Sequence, residues 1–321
     1  METLHEKKQE NRFSLHAFCL ALSNDPVNTA TGNFIYDHTD LNIPARIPLE
    51  FTRYYNSRDE YTGPLGNGWQ HNYNTYLTVN EDNSVEVKYP DGHMFLFTYE
   101  NGSYSRPTGC FENLSQNTDG TYVLTFKNQT KYVFDSQGKL AKIADKNDNS
   151  ITMQYTGSLL TTATEPAGRS LNFEYDANDR LIRITDPAGR TVIFSYDTEG
   201  NLSSVQDFNG GSTSFAYGQY GLTTITDPKG NNEVINEYDA DSRVIRQEDA
   251  KGNVTLFFYN PAEKKNAMTD PNGNTAYFYY DDKYRITQID YPQNLTQLYT
   301  FDENYNRTSS LLTLKLWIKP L

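Results

Sequence analysis

The sequence predicts an all-β protein: a strand-rich amino-terminal cap domain followed by stacked 21-residue β-hairpins that build a curved sheet. Three observations predict it. Tyr175, Tyr196, Tyr217, Tyr238, Tyr259, Tyr280 and Phe301 stand 21 residues apart, and Phe134 and Tyr155 extend the series backwards by steps of 21 and 20. An acid recurs too, as Glu165, Asp186, Asp207, Asp227, Asp249, Asp270 and Asp290, at intervals of 20 to 22 residues. The stretch before each aromatic alternates, so that Val192, Phe194 and Tyr196 share one face of Arg190–Tyr196, as Leu171, Phe173 and Tyr175 do one unit earlier; that is the period of a strand. A fixed period of this length marks a repeat array, whose units are marginal alone and depend on their neighbours.

Taken in order, residues 1–23 read as a leader or frayed tail. Phe13 to Leu22 is an apolar run behind Lys7, Lys8 and Arg12. Glu2, Glu6 and Glu10 dilute the positive region and His16 interrupts the apolar one, which argues against a working signal peptide. Residues 24–98 have a different texture, with Pro44, Pro48 and a glycine/aromatic segment from Gly63 to Tyr73, and form the cap domain. Residues 99–133 continue as strands without a clean period, and 134–302 is the repeat array. In residues 303–321 the pattern is lost: no glycine turn follows Asp302, and the chain runs out through Leu311, Leu312, Leu314, Leu316 and Trp317. The chain therefore reads as a piece of a longer protein, and the hairpin near 280–301 is expected to expose an unpaired strand edge.

Within a unit, Asp176–Asp179 is turn-forming and Leu181–Thr185 is a short strand rich in branched residues. The next turn has Asp186 first, Pro187 second and Gly189 fourth, and Asp227-Pro228-Lys229-Gly230 and Asp270-Pro271-Asn272-Gly273 repeat it. These are type I turn preferences: the carboxylate caps backbone donors, proline presets φ, and glycine accepts the exit geometry. The period-21 aromatics are read as sheet-face packing, free to stack into a ladder across strands.

Composition narrows function. With 28 Lys+Arg against 41 Asp+Glu the net charge is −13, which disfavours nucleic acid, since its phosphates need clustered cations. No stretch offers the ~20 apolar residues of a membrane-spanning helix. Cys19 and Cys110 are the only cysteines and cannot make a disulfide framework or a four-cysteine zinc site. His5, His16, His38, His71 and His93 show no zinc spacing; His71 reads as structural. The recurrent Asp186, Asp227 and Asp270 suggest a carboxylate dyad, but a dyad needs two carboxylates sharing one site, and turn formation explains all three. One main turn acid per unit is sparse for calcium. Tyrosine-rich faces, Trp69 and Trp317 are candidates for stacking on sugars. No catalytic residue, metal or cofactor is assigned.

The unit Tyr-Asp-x-x-Gly/Asp-Arg-Leu-x-x-Ile-x-Asp-Pro-x-Gly at 175–189 resembles the YD repeat of the Rhs family. The segments DPVNTATGNF at 25–34, PLEFTRYYNS at 48–57, GPLGNGWQHNY at 63–73 and YPDG at 89–92 resemble the domain that precedes those repeats. The resemblance implies a β-sheet winding into a hollow shell around a C-terminal toxin. The implied partners are the rest of the shell, that toxin and secretion machinery, and the implied location is secreted or on a bacterial surface. The chain departs from the pattern in having only about eight repeats, no PxxxxDPxGL motif and no toxin domain. The leading expectation is a structural, non-enzymatic part of a toxin-encapsulating shell. The alternative is a secreted or surface module that binds carbohydrate.

Overall fold

The computed structural model describes residues 27–314. The candidate signal stretch, Cys19, His5, His16 and Trp317 lie outside the described residues. Those described form strands, with one short 3-10 turn at Pro292–Asn294. Twenty strands, from Asn113–Gln116 to Arg307–Leu314, follow one another in a single antiparallel sheet in chain order. The regular pairing thus begins inside the segment whose sequence shows no clean period.

The structural logic of one unit explains its spelling. Between Thr191–Tyr196 and Leu202–Gln206, Phe194 stands opposite Val205 and Tyr196 opposite Leu202, with a register shift between. Two positions on one strand oppose three on the other. This bulge lets Leu202 and Val205, three residues apart, both face the core, where they are 0% and 3% exposed. A strict period of two cannot do that; a bulge absorbs one residue and preserves facing. The same shift recurs where Tyr175 meets Leu181, Tyr238 meets Val244 and Tyr280 meets Ile286.

The described chain divides into two compact units, Tyr36–Ser214 and a second made of the amino-terminal stretch to Ile35 with Phe215 onward. In the first, Ile35–Ile43, Leu49–Asn56 and Trp69–His71 form a small sheet, and Tyr76–Val79, Val85–Lys88, Met94–Glu100 and Ser103–Ser105 form another. Its core joins cap domain to array: the Phe51 ring lies 6.0 Å from Phe173 and 5.8 Å from Phe194. Burying such large side chains contributes roughly 1.5–3 kcal/mol each. In the second unit, Ala30 packs with Phe278, Tyr280, Ile286, Ile289 and Tyr299.

The tail corrects the expected edge. Leu295–Phe301 is paired, with Leu295 opposite Leu314 and Thr300 opposite Ser309. The last strand among the described residues is Arg307–Leu314, with Leu311, Leu312 and Leu314 more than half exposed. The physical reason is a turn without glycine. Asp302 N–H donates to Asn306 O, Asn306 N–H donates to the Asp302 carboxylate, and Tyr305 takes the left-handed position at φ 64.

Candidate functional site

The regular hairpin units have two ends built by nearly the same chemistry. At the Asp-Pro end, Asp186 N–H donates to Arg190 O (2.9 Å) and Gly189 N–H donates to Asp186 O (3.0 Å). Asp186 Oδ1 accepts from the N–H groups of Ala188 and Arg190, and Oδ2 accepts from the Arg190 guanidinium at 2.6 Å. Asp227 and Asp270 repeat this with Asn231 and Asn274 as the fourth residue on. At the Tyr-Asp end, Asp176 is held in the same way by Arg180, Asp197 by Asn201 and Asp239 by Arg243. The Arg four residues after the acid stands in the Tyr-Asp unit of the sequence, and the same spacing of Arg or Asn after Asp186, Asp227 and Asp270 is the signal for the other end.

These bonds fix the carboxylates as anions. The Asn231 side chain and then its backbone N–H hold Asp227 below its ordinary value, as Asn274 does for Asp270. Burial pulls Asp186 the other way, yet donation from the Arg190 backbone and guanidinium keeps it low as well. A proton-sharing dyad requires one carboxylate to be raised, and all three move down. Pro187, Pro228 and Pro271 occupy the second turn position, and Gly189, Gly230 and Gly273 take φ of 80, 86 and 82 at the fourth. Among the described residues no group of three acid, histidine or cysteine side chains is placed to hold a metal ion.

The period-21 aromatics act at the Tyr-Asp end. Tyr155 hydroxyl donates to Leu140 O, Tyr175 to Leu160 O, Tyr196 to Leu181 O, Tyr238 to Leu222 O and Tyr259 to Val244 O, at 2.6 to 2.9 Å. Each bond ties one hairpin to the one before it. The turn arginines cap the rings: Arg180 lies 4.8 Å from the Tyr196 centroid, Arg243 5.0 Å from Tyr259 and Arg285 4.8 Å from Phe301. One guanidinium therefore binds the acid of its own turn and the ring of the next unit. Each cation–π contact contributes about 0.5–1 kcal/mol. Phe134 is fully buried, Tyr217 half-buried, and Tyr280 stacks on Tyr284 at 5.5 Å.

The Tyr-Asp ends also receive the amino-terminal chain. Within the first unit, Leu77 N–H donates to Gly138 O (2.9 Å) and Leu181 N–H to Pro64 O (2.8 Å), which also accepts the Tyr196 hydroxyl (3.0 Å). Asn67 Nδ2 donates to Asn201 Oδ1 at 2.9 Å. A Cβ on Gly138 would lie 2.0 Å from Leu77 O, and one on Gly66 2.6 Å from Gly200 O, so backbone meets backbone where only glycine fits. At the Asp-Pro ends a Cβ on Gly168, Gly189, Gly230 or Gly273 would meet nothing within 4 Å.

The cap domain is held by buried charge and rings. Arg53 Nε donates to Asp40 at 2.7 Å while its guanidinium lies 5.3 Å from the Trp69 ring. Trp69 is 0% exposed, which removes it as a sugar platform. Lys88 Nζ meets Asp59 at 2.5 Å over the Tyr61 ring. His71 packs in a triangle of rings with Phe51 (5.2 Å) and Phe173 (6.4 Å), and burial pulls its imidazole down to about 3. Cys110 is buried and free, its thiol pushed up by burial and by Glu112.

A profile described as "Teneurin YD-shell" matches residues 112–304, more than half of the chain, and a domain of unknown function, DUF6531, matches residues 24–97. The chain belongs to the YD-shell family. Among curated relatives of this YD-repeat chain, tRNA nuclease WapA of Bacillus subtilis strain 168 is 33% identical over 132 residues, 40% of this chain and 6% of that protein. Probable deoxyribonuclease RhsB of Dickeya dadantii strain 3937 is 34% identical over 82 residues, 25% of this chain and 6% of that protein. The chain thus spans about 6% of the length of these relatives. Among solved structures, TcdB2-TccC3 without its hypervariable C-terminal region aligns over 97% of this chain and 20% of its own, at TM-score 0.43 and 11% identity. No helix among the described residues is long and apolar enough to cross a membrane.

Proposed function

We propose that this YD-shell chain is part of the wall of a secreted or surface-delivered shell that encloses a toxin, and that its residues carry structure rather than catalysis. The observation that supports this reading is the twenty-stranded sheet, whose regular hairpins are closed by acid-headed turns and tied at the Tyr-Asp end by tyrosine and arginine. A wall needs such uniform joints, because every strand must hold its neighbours without a thick core behind it. The partners on this reading are further shell strands, a toxin domain and the machinery that exports them.

The test is limited proteolysis of the longest product that the locus encodes. The wall reading expects a C-terminal domain that resists protease in that product and is cut quickly when made alone. A domain cut equally fast in both, or a locus encoding no such domain, would contradict enclosure.

One observation favours a second reading, a carbohydrate-binding surface module. Phe258, Ala267 and Tyr277 lie in one row across three strands, and Phe258 and Tyr277 are 66% and 40% exposed. Two exposed rings flanking a small residue on one sheet face can stack on sugar rings. Glycan-array binding that is lost on Phe258→Ala would support this; an array without signal would remove it.

A further inference from the structure

One hairpin of the array breaks its own rule. Opposite the repeat tyrosine stands a buried aliphatic residue: Leu181 faces Tyr175, Leu202 faces Tyr196, Val244 faces Tyr238 and Ile286 faces Tyr280. Opposite Tyr259 stands Asn266, 2% exposed. The cause is in the turn. Asn260-Pro261-Ala262-Glu263-Lys264 replaces the usual acid-headed turn, and the pairing of Val254–Asn260 with Lys265–Thr269 runs without a register shift. The residue that other units spend in a bulge is spent here in the turn, which brings Asn266 rather than Lys265 into the slot.

A buried amide costs free energy unless its groups are bonded. Asn266 is bonded at both atoms. Its Oδ1 accepts from Asn260 N–H at 3.1 Å, and its Nδ2 donates to Thr29 O at 2.8 Å and Ala30 O at 2.9 Å. The amide protons thus go to the amino-terminal segment. That segment is itself folded onto Asn28, whose Oδ1 accepts from the N–H groups of Ala30 and Thr31. One unit earlier, Val244 N–H donates to Gly32 O at 3.0 Å.

The physical problem this solves is register. An array of similar hairpins offers similar apolar slots, and Ala30 alone does not distinguish them. A single buried polar group is satisfied at one position and unsatisfied at every other, which selects the position at some cost in burial. We propose that Asn266 is a specificity-determining docking residue, marking the hairpin on which Val27–Phe34 seats. The proposal concerns docking within this chain and does not depend on toxin enclosure.

Hydrogen exchange by mass spectrometry on the full chain tests it, comparing wild type with N266L and N266D. N266L restores the aliphatic residue of the other units, and N266D keeps the shape but removes both donors. In both variants the amides of Ala30, Thr31 and Gly32 are expected to exchange at least tenfold faster. Apart from Asn260, whose N–H loses its Oδ1 acceptor, the strands Val254–Asn260 and Thr275–Tyr280 are expected to exchange no faster in N266L. Wild-type protection of residues 27–34 in N266L would overturn the proposal. So would acceleration spread equally over those strands, since Asn266 would then serve the sheet rather than the segment.

Discussion

The two ends of a YD unit use one turn and do different work. Asp176 and Asp186 are held by the same set of bonds, from N–H groups two and four residues on and from an arginine. Yet Tyr196 and Pro64 meet at the Tyr-Asp end, and Gly138 and Asn201 touch the cap domain there. The turn glycines at the Asp-Pro end face open space. The turn arginine reaches a neighbour at either end, Arg190 lying 4.5 Å from the Phe208 ring and Arg169 donating to Pro44 O. The difference teaches that an acid-headed turn closes a hairpin, while the tyrosine hydroxyl and the close backbone approach make the joint at the Tyr-Asp end.

The largest effect is expected from acid, which acts on the packing between cap and array. The His71 pKa is depressed to about 3 from its ordinary 6.5, so the unfolded chain takes up a proton that the native state refuses. The part of the stability that rests on neutral His71 is full above about pH 6.5 and falls by about 1.4 kcal/mol for each pH unit below it, until the pH nears 3. Urea unfolding across pH 4 to 7 measures this slope, and His71→Phe is expected to flatten it.

Next comes the glycine pair. Gly138→Ala drives a Cβ into Leu77 O at φ +85 and is expected to cost about 3 kcal/mol or more. Gly189→Ala meets no atom and carries only the left-handed penalty, about 1 kcal/mol. Equal urea midpoints for the two variants would erase the distinction between the ends.

The acids sharpen the comparison from the other side. Because the turn itself is shared, Asp176→Ala and Asp186→Ala are each expected to lose about 2 kcal/mol, the scale of hydrogen bonds to a charged group. The smallest effect is at the hydroxyls. Tyr196→Phe removes a donor shared by Leu181 O and Pro64 O, whereas Tyr175→Phe removes one bond to Leu160 O. The first is expected to cost about 1–1.5 kcal/mol and the second nearer ~0.5, read as shifts of thermal midpoint.

Much of this was legible in the sequence. The period, the strands, the turn acids and the positive-φ glycines all follow from local preferences written into each unit. The bulge was also legible, since Leu181 and Ile184 are three apart and both must face inward. The turn at Asp302 was missed because glycine was the signal sought, while Asn306 and a left-handed Tyr305 do the same work. The docking joints were not legible. Asn67 meets Asn201 and Asn266 meets Thr29 across more than a hundred residues, and no local pattern encodes such contacts.

Hydrogen exchange across the cap-domain strands Tyr76–Val79 and Val85–Lys88, in Gly138→Ala and Gly189→Ala, tests most directly whether the close backbone approach at the Tyr-Asp end holds those strands. The predicted result is faster exchange in those strands for Gly138→Ala and wild-type exchange for Gly189→Ala. Equal acceleration in both variants, or none in either, would contradict it.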